Sequence, residues 1–178
     1  VYNGLSYEGK TIRGRQMVEA MNAAGMDLAV FGNHEFDIKE PELQFRLNES
    51  TFNWVSTNTF QKTADGAGPF KKTTNGKVQP IPEYIIQTIN DADGTVARVG
   101  FIGITLPFNK AAYVSYTDPL STAKKMYAQL KDSVDAVVAI THQFMEDDRV
   151  LANNLPQLAL IAGGHEHDMR FETVNGVK

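Results

Sequence analysis

Apolar positions along this chain switch between two periods. In residues 11–25, Met17, Val18, Met21 and Ala24 recur at helical spacing, with Thr11 placed to cap the helix and Gly25 to stop it. Gly14 weakens the first turn of that pattern. The run Asp27-Leu28-Ala29-Val30 reads as a short buried strand ending at Val30 or Phe31. Asp37 and Glu40 have the spacing of a capping box, and Pro41 suits a first turn, so a helix is predicted to about residue 48. Residues 52–57 read as another short strand. Residues 59–82 lose the periodicity. Thr, Lys, Gly and Pro dominate there, with turn signals at Asp65-Gly66 and Asn75-Gly76, so they read as a surface excursion with room for a hairpin.

Residues 83–89 and 97–106 read as strands joined by the turn Asp91-Ala92-Asp93-Gly94. Asp118-Pro119 opens a helix whose apolar face is Leu120, Ala123, Tyr127 and Leu130. A strand at 136–140 leads into Thr141-His142-Gln143, and a short helix is predicted at 147–154. A strand at 158–162 leads into Gly163-Gly164-His165-Glu166-His167. This alternation predicts an α/β fold with a mainly parallel sheet covered by helices. The carboxyl ends of such strands share one rim, where ligands bind. Asn33 with His34, His142, and His165 with His167 follow three different strands, so the three segments are expected to converge there.

Composition narrows the partners. The chain has 178 residues and a net charge of −4, which excludes non-specific attraction to nucleic acid or anionic membrane. It has no cysteine, so disulfides and thiolate metal sites are excluded. No apolar run reaches the length of a membrane span. The chain begins at Val1 with no charged and apolar leader and stops just after an expected strand, so both ends are expected to be cuts through something larger.

The candidate chemistry lies in Phe31-Gly32-Asn33-His34-Glu35-Phe36-Asp37 and in the other three histidines, His142, His165 and His167. Each piece has an ordinary reading. Gly-Asn-His is a common turn, a strand-end histidine is commonly just hydrogen-bonded, and Asp37 can cap a helix. In His165-Glu166-His167, alternation along an extended segment would aim both imidazoles to one side. Jointly, the ordinary readings do not explain why every histidine follows a predicted strand. Neutral imidazoles and amide oxygens suit Zn, Mn, Fe or Ni rather than calcium. Asn33, His142, His165 and His167 are the expected ligands. His34, one position beyond Asn33, fits a group that contacts the phosphoryl or leaving oxygen, with Asp37 placed to orient it. A two-ion site also needs anionic oxygens. No residue occupies an obvious bridging position, with Glu35 and Glu166 candidates only if they turn inward. At most one ion is therefore expected in this chain.

The three motifs Gly32-Asn33-His34-Glu35, Thr141-His142 and Gly164-His165-Glu166-His167 resemble those of the calcineurin-like metallophosphoesterases. Gly32 to Asp37, followed by Arg46 to Trp54, looks like the 5′-nucleotidase and UDP-sugar hydrolase branch. The resemblance implies a four-layer α/β/β/α sandwich, incomplete at the N-terminus, over residues 1–178 as a single partial catalytic domain. It implies hydrolysis of a small phosphate ester, most specifically a nucleotide, by two divalent ions in the full-length protein. By motif match, Asn33, His142 and His165 would hold one ion and His167 the other, while His34, paired with Asp37, would contact the phosphate. The family's initial Asp-x-His strand and Gly-Asp turn are not found here, nor is the branch's C-terminal nucleoside-binding domain. Relatives of this kind imply a periplasmic or extracellular location. The competing hypothesis is a non-catalytic metal- or phosphate-binding module of the same fold. An intact His34–Asp37 pair argues for the enzyme.

Overall fold

The computed structural model describes residues 4–109 and 111–178. The first elements are a small antiparallel ribbon, β1 (Ser6–Tyr7) and β2 (Lys10–Thr11), and then α1 (Arg15–Ala23). The helix starts three residues later than its pattern predicts. Thr11 is paired with Ser6 in the ribbon, and Gly14 takes the N-cap position in a left-handed conformation (φ 80°). β3 (Leu28–Ala29) follows, then a 3₁₀ turn (Asn33–Asp37), α2 (Glu40–Glu49) and β4 (Asn53–Trp54), which pairs parallel with β3. The capping of α2 also differs from expectation. Glu42 accepts the Lys39 N–H at 2.8 Å, because Asp37 is engaged elsewhere.

The excursion at 59–82 is more regular than its composition predicts. It holds β5 (Thr59–Thr63), β6 (Gly66–Gly68), β7 (Lys71–Thr74) and β8 (Lys77–Pro80) as two successive hairpins. Asn75 and Gly76, both at positive φ (51° and 74°), make the second turn. Phe70, between the hairpins, is 2% exposed and ties the excursion to the core.

β9 (Tyr84–Asn90), β10 (Val96–Thr105), β12 (Ala136–His142) and β13 (Leu160–Gly163) form one sheet in the order β13-β12-β10-β9. β10, β12 and β13 are parallel, and only the edge strand β9 runs against them. Between them in sequence lie β11 (Val114–Tyr116), which pairs with β5, and the helices α3 (Pro119–Leu130) and α4 (Met145–Asn154). α4 begins two residues earlier than predicted, because Glu166 reaches across from the segment after β13 to accept the Met145 N–H at 2.8 Å.

Two hydrophobic cores result. Ile102, Ile104, Val137 and Ala139 of the four-stranded sheet pack with Ala123, Met126 and Leu130 of α3 and Leu151 of α4. Phe31, Phe36, Leu43, Leu47, Phe52, Trp54 and Phe70 form the other. The halves are stitched by buried polar groups. The Asn58 amide donates to the Thr105 carbonyl and accepts its N–H, at 2.8 and 2.9 Å. The Thr105 hydroxyl donates to the Phe31 carbonyl at 2.6 Å. At Gly103 a β-carbon would stand 2.5 Å from the Val55 carbonyl oxygen, so only glycine permits this approach. Thr105 is also in register with His142. It thereby brings the ends of β3 and β12 to the same rim.

Candidate metal and phosphate site

The turn bearing Asn33 and His34 is set by the aromatic residues at its ends. Phe31 is fully buried, stacked on Trp54 at 4.9 Å and in contact with Phe36 at 5.3 Å. With both ends held in the core, the polar residues between them divide between inside and outside. Asn33 is 3% exposed, whereas the His34 side chain is 58% exposed. Glu35 folds back to accept the Gly32 N–H at 2.6 Å. Glu35 and Glu166 therefore each cap a backbone N–H through one carboxylate oxygen.

His142 closes the site from the opposite half. Its Nε2 lies 2.9 Å from Asn33 Oδ1 and 3.2 Å from His165 Nδ1. The His165 ring stands perpendicular to Phe144, with centroids 4.6 Å apart at 89°. Burial, with smaller contributions from His165, His167 and His34, pushes His142 down to about 4, so it is neutral near pH 7. Asn33 Oδ1 and His165 Nδ1 thus both approach His142 Nε2, and each of the three atoms offers a lone pair in the tautomers that leave the ring nitrogens unprotonated. Ligands about 2.1 Å from a common ion and about 90° apart are themselves about 3.0 Å apart, so the spacing and chemistry of this trio fit a divalent cation. It includes an amide rather than a third histidine or carboxylate, and among the described residues no three His, Cys, Asp or Glu side chains gather.

His167 does not follow the sequence expectation. The strand ends at Gly163 and His167 has φ 58°, so 165–167 is a bent segment without the alternation that would aim both imidazoles together. His167 is exposed and stands outside the trio, near enough for its charge to act on His142.

The profile of the calcineurin-like phosphoesterase family matches residues 8–169. The chain belongs to that family. Bovine 5′-nucleotidase is 28% identical over 94% of this chain, which spans 29% of that relative. The crystal structure of the 5′-nucleotidase precursor from Thermus thermophilus superposes with a TM-score of 0.69 at 25% identity, covering 88% of this chain and 29% of that one. The sulfate thiohydrolase SoxB from Thermus thermophilus shares the fold (TM-score 0.72, 19% identity, 92% of this chain and 29% of that one). The phosphoesterase fold therefore does not by itself name a substrate. The family typically uses divalent metals, consistent with the donor set of Asn33, His142 and His165. Among the described residues no helix is long and apolar enough to cross a membrane.

Beside the trio, this family member carries a hydrogen-bonded chain of three residues. His34 Nδ1 lies 2.7 Å from Asp37 Oδ2, and Asn109 donates through Nδ2 to Asp37 Oδ1 at 2.7 Å. Asn109 Oδ1 in turn accepts the Ala111 N–H at 3.0 Å, which fixes the amide so that its NH₂ faces Asp37. An ionised carboxylate only accepts, so Nδ1 of His34 carries the proton and Nε2 is left facing outward. Sequence reasoning names His34 and Asp37 but not Asn109, which lies 72 residues from its partner in a loop without a motif.

Proposed function

We propose that this chain provides the phosphate-handling site of a divalent-metal-dependent phosphoester hydrolase acting on nucleotides. The observation that carries the reading is the placement of Asn33 and His34 on one turn: Asn33 faces inward to His142 and His165, and His34 faces outward to solvent, tied to Asp37. The names of the relatives supply the substrate class.

In this reading Asn33, His142 and His165 hold one divalent ion. When bound, such an ion supplies Lewis acidity to the phosphoryl oxygens and activates water as the nucleophile. The remaining work falls to the turn. His34, with Nδ1 committed to Asp37, presents Nε2 to the phosphoryl or leaving oxygen, and in its doubly protonated form donates a hydrogen bond or a proton there. Asp37 fixes which ring nitrogen does so, and Asn109 fixes Asp37.

The test is phosphate release from a nucleoside 5′-monophosphate by the full-length protein, compared with its His34→Asn variant at matched metal content. A loss of about 10²–10⁴-fold in turnover with metal retained is expected. Metal loss equal to that of His142→Asn would make His34 a ligand. Full activity in His34→Asn would reduce the residue to part of a turn.

A further inference from the structure

Asp148 is the only ionisable residue among the described residues that ranks with the buried core, at 8% exposed. It hangs from the first turn of α4, where the helix N-terminus favours a negative charge. Its Oδ1 accepts Gln143 Nε2 at 2.9 Å. The Thr141 hydroxyl is buried without a hydrogen-bond partner and lies on the same side as this carboxylate, both facing Gly163. A β-carbon on Gly163 would lie 2.7 Å from Asp148 Oδ2, so the carboxylate also abuts the end of β13, two residues before His165.

These contacts bracket His142. Thr141 and Gln143, 2% and 3% exposed, flank it in sequence. Along a strand, alternate residues point to opposite faces. Val137, Ala139 and Thr141 are the buried positions of β12, and Val137 and Ala139 pack in the core that holds α4. Holding 141 and 143 on that side fixes the rotation of the strand end, and with it the direction of His142 on the other face. A carboxylate is a costly filler for such a place. Burial pushes Asp148 up to about 6, against the opposing pull of Gln143 and Thr141, and an apolar side chain would pack without that cost.

We infer that Asp148 is a positioning residue of the metal centre: it accepts from Gln143 and faces the Thr141 hydroxyl on the other side of His142, and so aims His142 at Asn33 and His165. This inference rests on the metal-site reading above.

The experiment measures Zn²⁺ affinity of the whole chain by competition with a chromophoric chelator, together with the thermal midpoint in EDTA. Groups that orient metal ligands typically contribute about 10–100-fold to affinity, and Asp148 acts one residue removed, so Asp148→Asn is expected at the lower end, near 10-fold. In a His142→Asn background, Asp148→Asn should weaken the residual affinity no further, because the ligand through which it acts is gone. Thr141→Val, which keeps the shape and removes one hydroxyl, should weaken binding by a smaller factor and serves if Asp148→Asn does not fold. A folded Asp148→Asn with parental affinity would overturn the inference and leave the metal site intact. Equal weakening by Asp148→Asn with and without His142 would show a general structural effect and overturn it too. A parent chain that binds no Zn²⁺ would overturn the metal-site reading and this inference with it.

Discussion

The His142 imidazole occupies the space that a side chain on Gly32 would need. A β-carbon at Gly32 would stand 2.8 Å from His142 Cε1, 3.0 Å from its Nδ1 and 2.7 Å from Glu35 Oε2. The backbone there is extended (φ −94°), so space rather than conformational freedom calls for glycine. Glu35 can swing away, but His142 is held by Asn33 and His165. Gly32→Ala is expected to cost about 1–3 kcal/mol of stability by overpacking. It should also weaken metal binding, since the relief available is to push His142 from Asn33. Chemical denaturation with a parallel metal titration checks both, and an unaltered affinity would show that the two halves are less tightly apposed.

Metal stoichiometry follows from the donor set. With Glu35 and Glu166 committed as caps and His167 outside the trio, one tightly held ion per chain is expected after dialysis. Asn33→Ala and His142→Asn should each abolish tight binding. Elemental analysis decides the matter, with two retained ions contradicting the ligand assignment.

Asn109 should act on turnover and not on metal. Removing its hydrogen bond to the exposed Asp37 carboxylate takes away a contact of about 0.5–1.5 kcal/mol, so Asn109→Ala is expected to lower turnover by about 3–10-fold. Asp37→Asn should cost more and His34→Asn most, with metal content unchanged throughout. A loss in Asn109→Ala as large as that in His34→Asn would assign Asn109 a direct role in the reaction.

The buried Asp148 gives stability a pH dependence of known sign. Burial, with smaller contributions from Glu166 and Asp147, raises its folded pKa from 3.8 to about 6, so the native state holds the proton more tightly than the unfolded chain. The resulting contribution is fully present below about 3.8 and is lost as pH rises through about 6. Asp148→Asn cannot titrate, so the thermal midpoint of the variant relative to the parent should improve from pH 4 to pH 7 in EDTA. Parallel curves would mean that another group titrates in this window.

Much of the fold is legible in local pattern. Hydrophobic pattern finds α3, β10 and β12, Pro41 marks the first turn of α2, and Asp118-Pro119 and Asn75-Gly76 mark a helix start and a hairpin because these residues carry their own backbone preferences. The positions of Asn33 and His34 beyond β3, and of His142 at the end of β12, are legible for the same reason. Where local pattern misleads, a partner distant in sequence has taken the residue. Asp37 does not cap α2 because His34 and Asn109 hold it, and α4 starts early because Glu166 caps it. His167 leaves the expected face because the strand stops at Gly163.

Local pattern carries the strands of the main sheet, the existence of the helices and the identity of the donor groups, since propensity and alternation act within a few residues. Only the tertiary structure decided which donors meet. That depends on Thr105, bonded to Phe31 and in register with His142, on Gly103 admitting the Val55 carbonyl, and on Asp148 reaching back from α4 to Thr141 and Gln143. Most of these contacts join residues far apart in the chain, and each depends on buried polar groups finding partners once the two cores have packed. No short-range pattern encodes that pairing.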